Sequence, residues 1–336
     1  MGHVAVLGAG AWGTALAKLL AEKSNEVWIW GRPPEVIEDI EKNRRNSRYL
    51  PGFELPANLH ATEDPERALH GADLVLLGIP SHATRGVLKE LSRYIPRGVP
   101  LVSATKGIEN ESLMLMHQVT LDTLGPEYLA MYTTLSGPSF AKEVALRHPT
   151  VVAVAGSRRE VAQEVQSRFS SEVFRVYWSD DLVGVELGGA LKNVIAIAAG
   201  AGDGMGFGHN SRAAVITRGL NELARLAVIK GANPLTVAGL AGMGDLVLTC
   251  TGELSRNRTV GIELGRGKKL DDILQALGHV AEGVKTARSA YDLARSLQVE
   301  MPITEQVYQV LYHDKSVSDA LADLMRRPLL PELDFR

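Results

Sequence analysis

Gly8-Ala9-Gly10-Ala11-Trp12-Gly13 decides the fold of this chain; it lies between the β-branched run His3-Val4-Ala5-Val6-Leu7 and the helical periodicity of residues 14–22. The hexapeptide fits G-x-G-x-x-G, and the flanking strand and helix are the context in which that pattern carries chemistry. Gly8 makes the tight turn out of the strand, Gly10 lets backbone approach a pyrophosphate, and Gly13 lets helix and strand pack closely. The unpaired N–H groups at the start of the helix attract the anion. A second apolar run, Val27–Trp30, closes a βαβ unit. Residues 4–20 also imitate a secretory leader. No basic segment precedes them, however, and Gly8, Gly10 and Gly13 interrupt them, so they read as part of the mature fold.

Outward from that unit the alternation continues. Strands are predicted at 74–79, Leu101–Ser103, 131–135, 151–154 and 174–177, and helices at about 83–94 and Arg159–Phe169. Strands alternating with helices predict a parallel sheet covered on both faces. Past Ser179 the strand pattern stops and helical segments follow at 183–199, 212–229, 256–264, 285–297, 304–313 and Val317–Met325. The fold class is therefore α/β. A Rossmann-type parallel-sheet domain that binds a dinucleotide spans 1–179, and an all-helical domain spans 180–336, with the boundary at 178–181.

The chain's 336 residues suit two domains. With 45% hydrophobic and 22% charged residues it is neither disordered nor a multi-span membrane protein, and no membrane span is expected. Its 36 basic and 39 acidic residues leave a net charge of −3, without the basic footprint of a nucleic-acid binder. Cys250 is the single cysteine, so no intrachain disulfide can form, and a cytosolic setting fits. The nine histidines form no H-E-x-x-H or Cys/His cluster, so no metal is expected. The acid that selects NAD at the end of the second strand is missing: Trp30 is followed by Gly31 and Arg32. Arg32 can receive a 2′-phosphate, which favours NADPH, or it can be a solvated loop residue or stack on adenine.

The glycine loop is followed by Ser103-Ala104-Thr105-Lys106-Gly107-Ile108-Glu109, Leu135-Ser136-Gly137-Pro138-Ser139-Phe140-Ala141 and Gly189-Ala190-Leu191-Lys192-Asn193-Val194. In order and spacing these segments resemble the NAD(P)-dependent glycerol-3-phosphate dehydrogenases. Gly242-Met243-Gly244-Asp245-Leu246, Thr249-Cys250 and Ser255-Arg256-Asn257 extend the resemblance over nearly the whole chain. It implies reversible reduction of dihydroxyacetone phosphate to sn-glycerol 3-phosphate with NADP or NAD, a role in phospholipid synthesis, a cytoplasmic location and a homodimer. It also places Trp12, Arg32, Lys106, Ala141, Val280 and Glu282 at the dinucleotide. Lys106, Gly137, Ser139, Lys192, Asp245, Thr249, Ser255, Arg256 and Asn257 fall at the substrate, with Arg256 also near the cofactor. Ala11 stands where many relatives carry Ser, so only its backbone N–H can serve there.

Ketone reduction needs a hydride donor at the carbonyl carbon and a proton donor at the oxygen. Lys192 is the candidate donor, because it lies on a segment too apolar for a surface helix, where lone charges are seldom buried. Gly188, Gly189 and Ala196 are its small helical neighbours and leave room that a substrate can occupy. Desolvation would bring its pKa toward the working range. The alternatives are a lysine snorkelling to solvent or a structural ion pair with Glu186 or Asp245. Asp245, in a Gly-rich loop, can hold Lys192 protonated, bind a substrate hydroxyl, or be a plain turn residue. Asn193 can orient substrate or satisfy buried backbone, and Lys106 follows a strand at the edge where α/β sheets bind ligands, or is a loop lysine.

Ser255 reads as a helix N-cap, which puts Arg256 and Asn257 in the first turn, where phosphate is attracted. An ordinary capped helix with a solvated arginine is the other reading. Cys250 reads as buried packing, and Arg218 with Glu222 as an i, i+4 salt link. A related hydroxyacid dehydrogenase and a non-catalytic dinucleotide sensor are the competing functions. Ser255-Arg256-Asn257 argues against the first, and the retained catalytic residue types argue against the second.

Overall fold

The computed structural model describes residues 2–278, 281–329 and 331–332. Two compact units emerge: Met1–Thr105 with Met116–Leu182, and Lys106–Leu115 with Val183–Arg336. The contiguous division into 1–179 and 180–336 needs one amendment, since residues 106–115 fold with the helices. Ile108 and Leu115 pack into the helical core, and Ser289 Oγ donates to the Ile108 carbonyl at 3.1 Å.

The first unit is built on one eight-stranded sheet: β1 (His3–Leu7), β2 (Val27–Trp30), β3 (Leu59–Thr62), β4 (Ala72–Leu77), β5 (Leu101–Ser103), β6 (Tyr132–Ser136), β7 (Thr150–Gly156) and β8 (Phe174–Ser179). Their order is β3-β2-β1-β4-β5-β6-β7-β8, whose first six positions are the classical dinucleotide-fold order. The pairings are parallel except β6 with β7, which is antiparallel. The sheet is thus mostly parallel, as expected, with one reversed pair at β6–β7. The helices of this unit are α1 (Ala11–Glu22), α2 (Pro34–Asn43), α3 (Pro65–Leu69), α4 (Ser81–Leu91), α5 (Met116–Leu124), α6 (Ala141–Ala145) and α7 (Arg159–Phe169).

Alternation along the strands sorts their side chains between two cores. Val4, Val6, Leu74 and Leu76 pack with Leu16, Leu20, Ile40, Val165 and Phe169 of α1, α2 and α7. Ala5, Leu7, Val75 and Leu77 pack with Leu69, Val87 and Leu91 of α3 and α4. Burial on both faces is why these strands read as continuous apolar runs.

The second unit holds α8 (Leu182–Gly204, its first residue still in the first unit), α9 (His209–Ile229), α10 (Pro234–Val237), a π-helical turn at Leu240–Gly244, and α11 (Asp245–Thr251). The remaining helices are α12 (Arg256–Gly265), α13 (Leu270–Leu277), α14 (Glu282–Ser296), α15 (Pro302–Tyr312) and α16 (Val317–Met325). Helix α8 is long and apolar enough to cross a membrane, yet 89% of that window is buried inside the fold. Leu187, Leu191 and Val194 face one apolar cluster while Ile195, Ala196 and Ala199 face another, so α8 is buried on more than one side as the central helix of its unit.

Candidate functional site

In the first unit the chain leaves β1 through Gly8, whose φ of +118° disfavours any side chain and whose added Cβ would sit 2.5 Å from the Gly78 carbonyl. A methyl at Gly13 would overlap the Gly8 carbonyl, so α1 rests directly on the turn. Gly10 is the N-cap of α1, with open space where a side chain would be and no acidic residue in the first turn. The first-turn amides of Ala11, Trp12 and Gly13 have no intrahelical acceptor, and the indole N–H of Trp12 is buried without a partner. These features fit the anionic pyrophosphate of a dinucleotide. Asn46, buried and absent from the sequence reading, locks the loop. Its Nδ2 donates to the Ala9 carbonyl at 2.9 Å and to Thr14 Oγ1 at 2.8 Å. Its place far downstream of the glycines gives no local signal.

Arg32 follows β2 and is exposed; it pairs with Glu90 of α4 and lies 5.9 Å from the Trp30 ring. Gly137 follows β6 with φ +149°, and Ser139 Oγ donates to the Gly137 carbonyl at 3.0 Å; Ala141 opens α6. Gly8, Arg32 and Gly137 thus share the C-terminal edge of parallel strands, where open α/β sheets bind ligands.

The second unit gathers the charged candidates. Lys192 of α8 and Lys106 share the carboxylate of Asp245: Lys192 Nζ donates to Oδ1, and Lys106 Nζ donates to Oδ2 at 2.7 Å. Asp245 is fully buried and Lys192 is 8% exposed, which rules out snorkelling to solvent. Lys106 and Lys192 thus converge on one buried carboxylate, which ties the start of α11 to α8 and to the 106–115 segment. Burial pulls the Lys192 pKa down to about 8; the Asp245 charge opposes that fall and the Lys106 charge adds to it.

Asp245 opens α11 directly after the π-turn, which corrects its expected place in a loop. Gly188 corrects a second expectation. The room beside it is filled by backbone, since an added Cβ would lie 2.5 Å from the Ala241 carbonyl. That close approach brings the π-turn, and so Asp245, against α8. Thr249, one turn on, donates its hydroxyl to the Asp245 carbonyl at 2.6 Å.

A neutral chain runs beside the cluster. Asn257 Nδ2 donates to Asn193 Oδ1 at 2.9 Å, and the Gly283 N–H donates to Asn257 Oδ1 at 2.9 Å, linking α8, α12 and α14. Ser255 caps α12 by accepting from the Arg258 N–H at 3.2 Å, which places Arg256 and Asn257 first in a helix with no acidic residue in its first turn. Glu282 opens α14. Burial raises its pKa, opposed by the charges of Arg256, Lys106 and Lys192. Val280 lies outside the described residues.

Three further groups stand apart from this chemistry. Cys250 is buried and its thiol is pushed up to about 12 by desolvation, so it is packing. Arg218 and Glu222 form no salt link: Arg218 donates to the Glu332 carbonyl, and buried Glu222 accepts from the N–H groups of Ile303 and Thr304 at the start of α15. Asp203, which the sequence reading passed over, joins Arg212 and Arg258. Among the described residues no three His, Cys, Asp or Glu side chains are grouped as metal ligands.

Comparison with known proteins covers the chain from end to end. The NAD-dependent glycerol-3-phosphate dehydrogenase N-terminus matches residues 3–162, and the C-terminus of the same family matches 181–322. Glycerol-3-phosphate dehydrogenase [NAD(P)+] of Anaeromyxobacter dehalogenans is 55% identical over 328 residues, covering 98% of this chain and 99% of the relative. The Geobacter sulfurreducens protein of that name is 55% identical over 330 residues, 98% of each. A crystal structure of glycerol-3-phosphate dehydrogenase from Coxiella burnetii superposes with a TM-score of 0.92 at 39% identity, covering 97% of this chain and 99% of that one.

Proposed function

The chain belongs to the NAD-dependent glycerol-3-phosphate dehydrogenase family, and from that premise we propose how its residues divide the work. The reaction is the reversible NAD(P)H-dependent reduction of dihydroxyacetone phosphate to glycerol 3-phosphate, a precursor in lipid biosynthesis. The nicotinamide coenzyme, when bound, supplies the hydride for the carbonyl carbon.

Gly8, Gly10 and the first-turn amides of Ala11, Trp12 and Gly13 hold the pyrophosphate, Arg32 favours the 2′-phosphate of NADPH, and Ala141 completes the dinucleotide contacts of the first unit. Lys192 holds the proton that the carbonyl oxygen takes up in reduction, and takes it back in oxidation. The single observation that carries this assignment is the buried Lys106–Asp245–Lys192 cluster, in which burial brings the Lys192 pKa to about 8. Asp245 keeps the ammonium oriented, and the Lys192 charge stabilises negative charge growing on the substrate oxygen.

Arg256 and Asn257, at the start of α12, hold the phosphate, with Ser255 fixing the turn. Asn193 and Thr249 order the substrate side of Lys192 and Asp245. Gly137 and Ser139 are proposed substrate contacts, and Glu282 and Val280 proposed cofactor contacts, on the family resemblance. A cytoplasmic location and a homodimer are proposed on the same ground; sedimentation of the purified protein tests the second.

The decisive experiment is Lys192→Ala. The variant is expected to fold and bind dinucleotide while losing turnover by about 10²- to 10⁴-fold, the scale of general acid–base catalysis. Near-normal kcat would remove Lys192 from the chemistry. Lys192→Met separates loss of the proton donor from loss of side-chain bulk.

A further inference from the structure

Lys192 and Arg256 ride on different helices, and glycines bring the backbones of those helices together. Gly200 and Gly204 of α8 face Gly261 and Gly265 of α12. A methyl at Gly200 would overlap the carbonyl of Arg258, and one at Gly204 that of Ile262. A methyl at Gly261 would overlap the carbonyl of Ile197, and one at Gly265 that of Ala201. Four reciprocal positions therefore bring backbone against backbone. At these positions no side chain lies between the two backbones, so the helices touch directly there, while the placement of the first turn of α12 depends on its polar links.

Two polar links join the first turn of α12 to α8. Asn193 and Asn257 are joined at 2.9 Å next to Lys192. Asp203 of α8 accepts from Arg258 through Nε at 2.9 Å and Nη2 at 2.7 Å, and its other oxygen accepts from Arg212 of α9 at 2.9 and 2.7 Å. Arg258 is also the residue whose N–H is capped by Ser255. The first turn of α12 is thus fixed from both its backbone and its side chain.

We propose that the α8–α12 crossing is a fixed spacer for the distance between the reacting carbonyl and the phosphate of the substrate. Asp203 is its positioning residue, acting through Arg258 to hold Arg256 and Asn257 at that distance from Lys192. In dihydroxyacetone phosphate the carbonyl and the phosphate then reach the two ends together. The proposal rests on the assignment of Lys192 and Arg256 made above. Asp203 itself touches neither proton donor nor phosphate ligand; it controls the geometry in which remote binding energy becomes rate.

The test compares dihydroxyacetone phosphate with unphosphorylated dihydroxyacetone in the purified full chain for Asp203→Asn, Arg258→Gln, their double variant and Arg256→Ala. In Asp203→Asn, kcat/KM for the phosphorylated ketone is expected to fall about 10- to 100-fold, the cost of a misplacement on the ångström scale. The unphosphorylated ketone should change less than about twofold, and the pH limb belonging to Lys192 should stay in place. Arg258→Gln removes the same link from the other helix and decides the matter if Asp203→Asn does not fold. The double variant should be no worse than either single one. Equal losses on both ketones, no loss on the phosphorylated one, or losses that multiply in the double variant overturn the spacer. If Arg256→Ala also fails to distinguish the two ketones, the phosphate assignment falls and the spacer with it. If Arg256→Ala distinguishes them and Asp203→Asn does not, the spacer alone falls.

Discussion

Replacing Asp245 with Asn removes the one carboxylate that both lysines share while keeping the shape of the side chain. In the wild type, burial sets the Lys192 pKa near 8 against the opposing pull of Asp245. On the proposed role of Lys192 reduction uses the ammonium form and oxidation the amine, so kcat/KM for dihydroxyacetone phosphate is expected to fall, and that for glycerol 3-phosphate to rise, as pH passes through about 8. Without the carboxylate charge the pKa drops further, and the Lys106 ammonium, 2.7 Å from the other Asp245 oxygen, adds to the fall. Coulomb's law at an effective dielectric of about 20 gives roughly 6 kcal/mol for unit charges about 3 Å apart, an upper bound of about four pKa units. Side-chain relaxation and water entry reduce this to the usual range of about 1–3 units for an opposite charge in contact. Near pH 7.5 the protonated fraction then drops about threefold for a one-unit shift and about 200-fold for a three-unit shift. The assay is the pH dependence of kcat/KM in both directions, with dinucleotide affinity and Tm measured to establish folding. An Asp245→Asn variant that folds and keeps its reduction limb in place would refute the idea that Asp245 holds the catalytic proton on Lys192.

The proposed role of Arg32 in coenzyme choice is open to test, because Arg32 is exposed and already paired with Glu90. Arg32→Asp should shift kcat/KM from NADPH toward NADH, while Glu90→Gln, by freeing the guanidinium, should shift it the other way; both shifts should shrink at high salt, and an unchanged ratio in both variants removes Arg32 from the selection. Stability follows from Glu222. Glu222→Ala would leave the buried N–H groups of Ile303 and Thr304 unsatisfied, at about 1–3 kcal/mol each. The measurement is denaturant unfolding, and a loss below about 0.5 kcal/mol would show that α15 does not depend on this cap.

What the sequence made legible was local. The glycine loop, the paired apolar runs and the change of texture after Ser179 all depend on neighbours within a few residues, and each corresponds to an element of the fold. Strand β3 was missed because its four residues include His60 and Thr62 and lack the apolar run of its neighbours. The reversal at β6–β7 was missed because a strand's direction is set by its connection, residues 137–149, and not by its own side chains. Helix α13 was passed over although Leu270, Ile273, Leu274 and Leu277 recur at i, i+3, i+4 and i+7 and turn one face to the core, a period that was legible in its eight residues.

The same distinction governs the site. That Lys192 lies among apolar residues is written in its own helix, but its partner is 53 residues away, and Glu186 on the same helix was an equal candidate until the packing was known. Glycine shows most clearly how a residue type underdetermines its use. Gly8 is needed for its backbone angle, Gly10 for open space, and Gly188, Gly200 and Gly261 because another backbone occupies the place of a side chain. Read along the chain, Gly188 offers space to a substrate; in the fold that space belongs to Ala241, and the result is an aspartate delivered to a lysine. A glycine next to a candidate catalytic group is therefore as strong a sign of a neighbouring chain as of a ligand, and only the long-range packing decides between them.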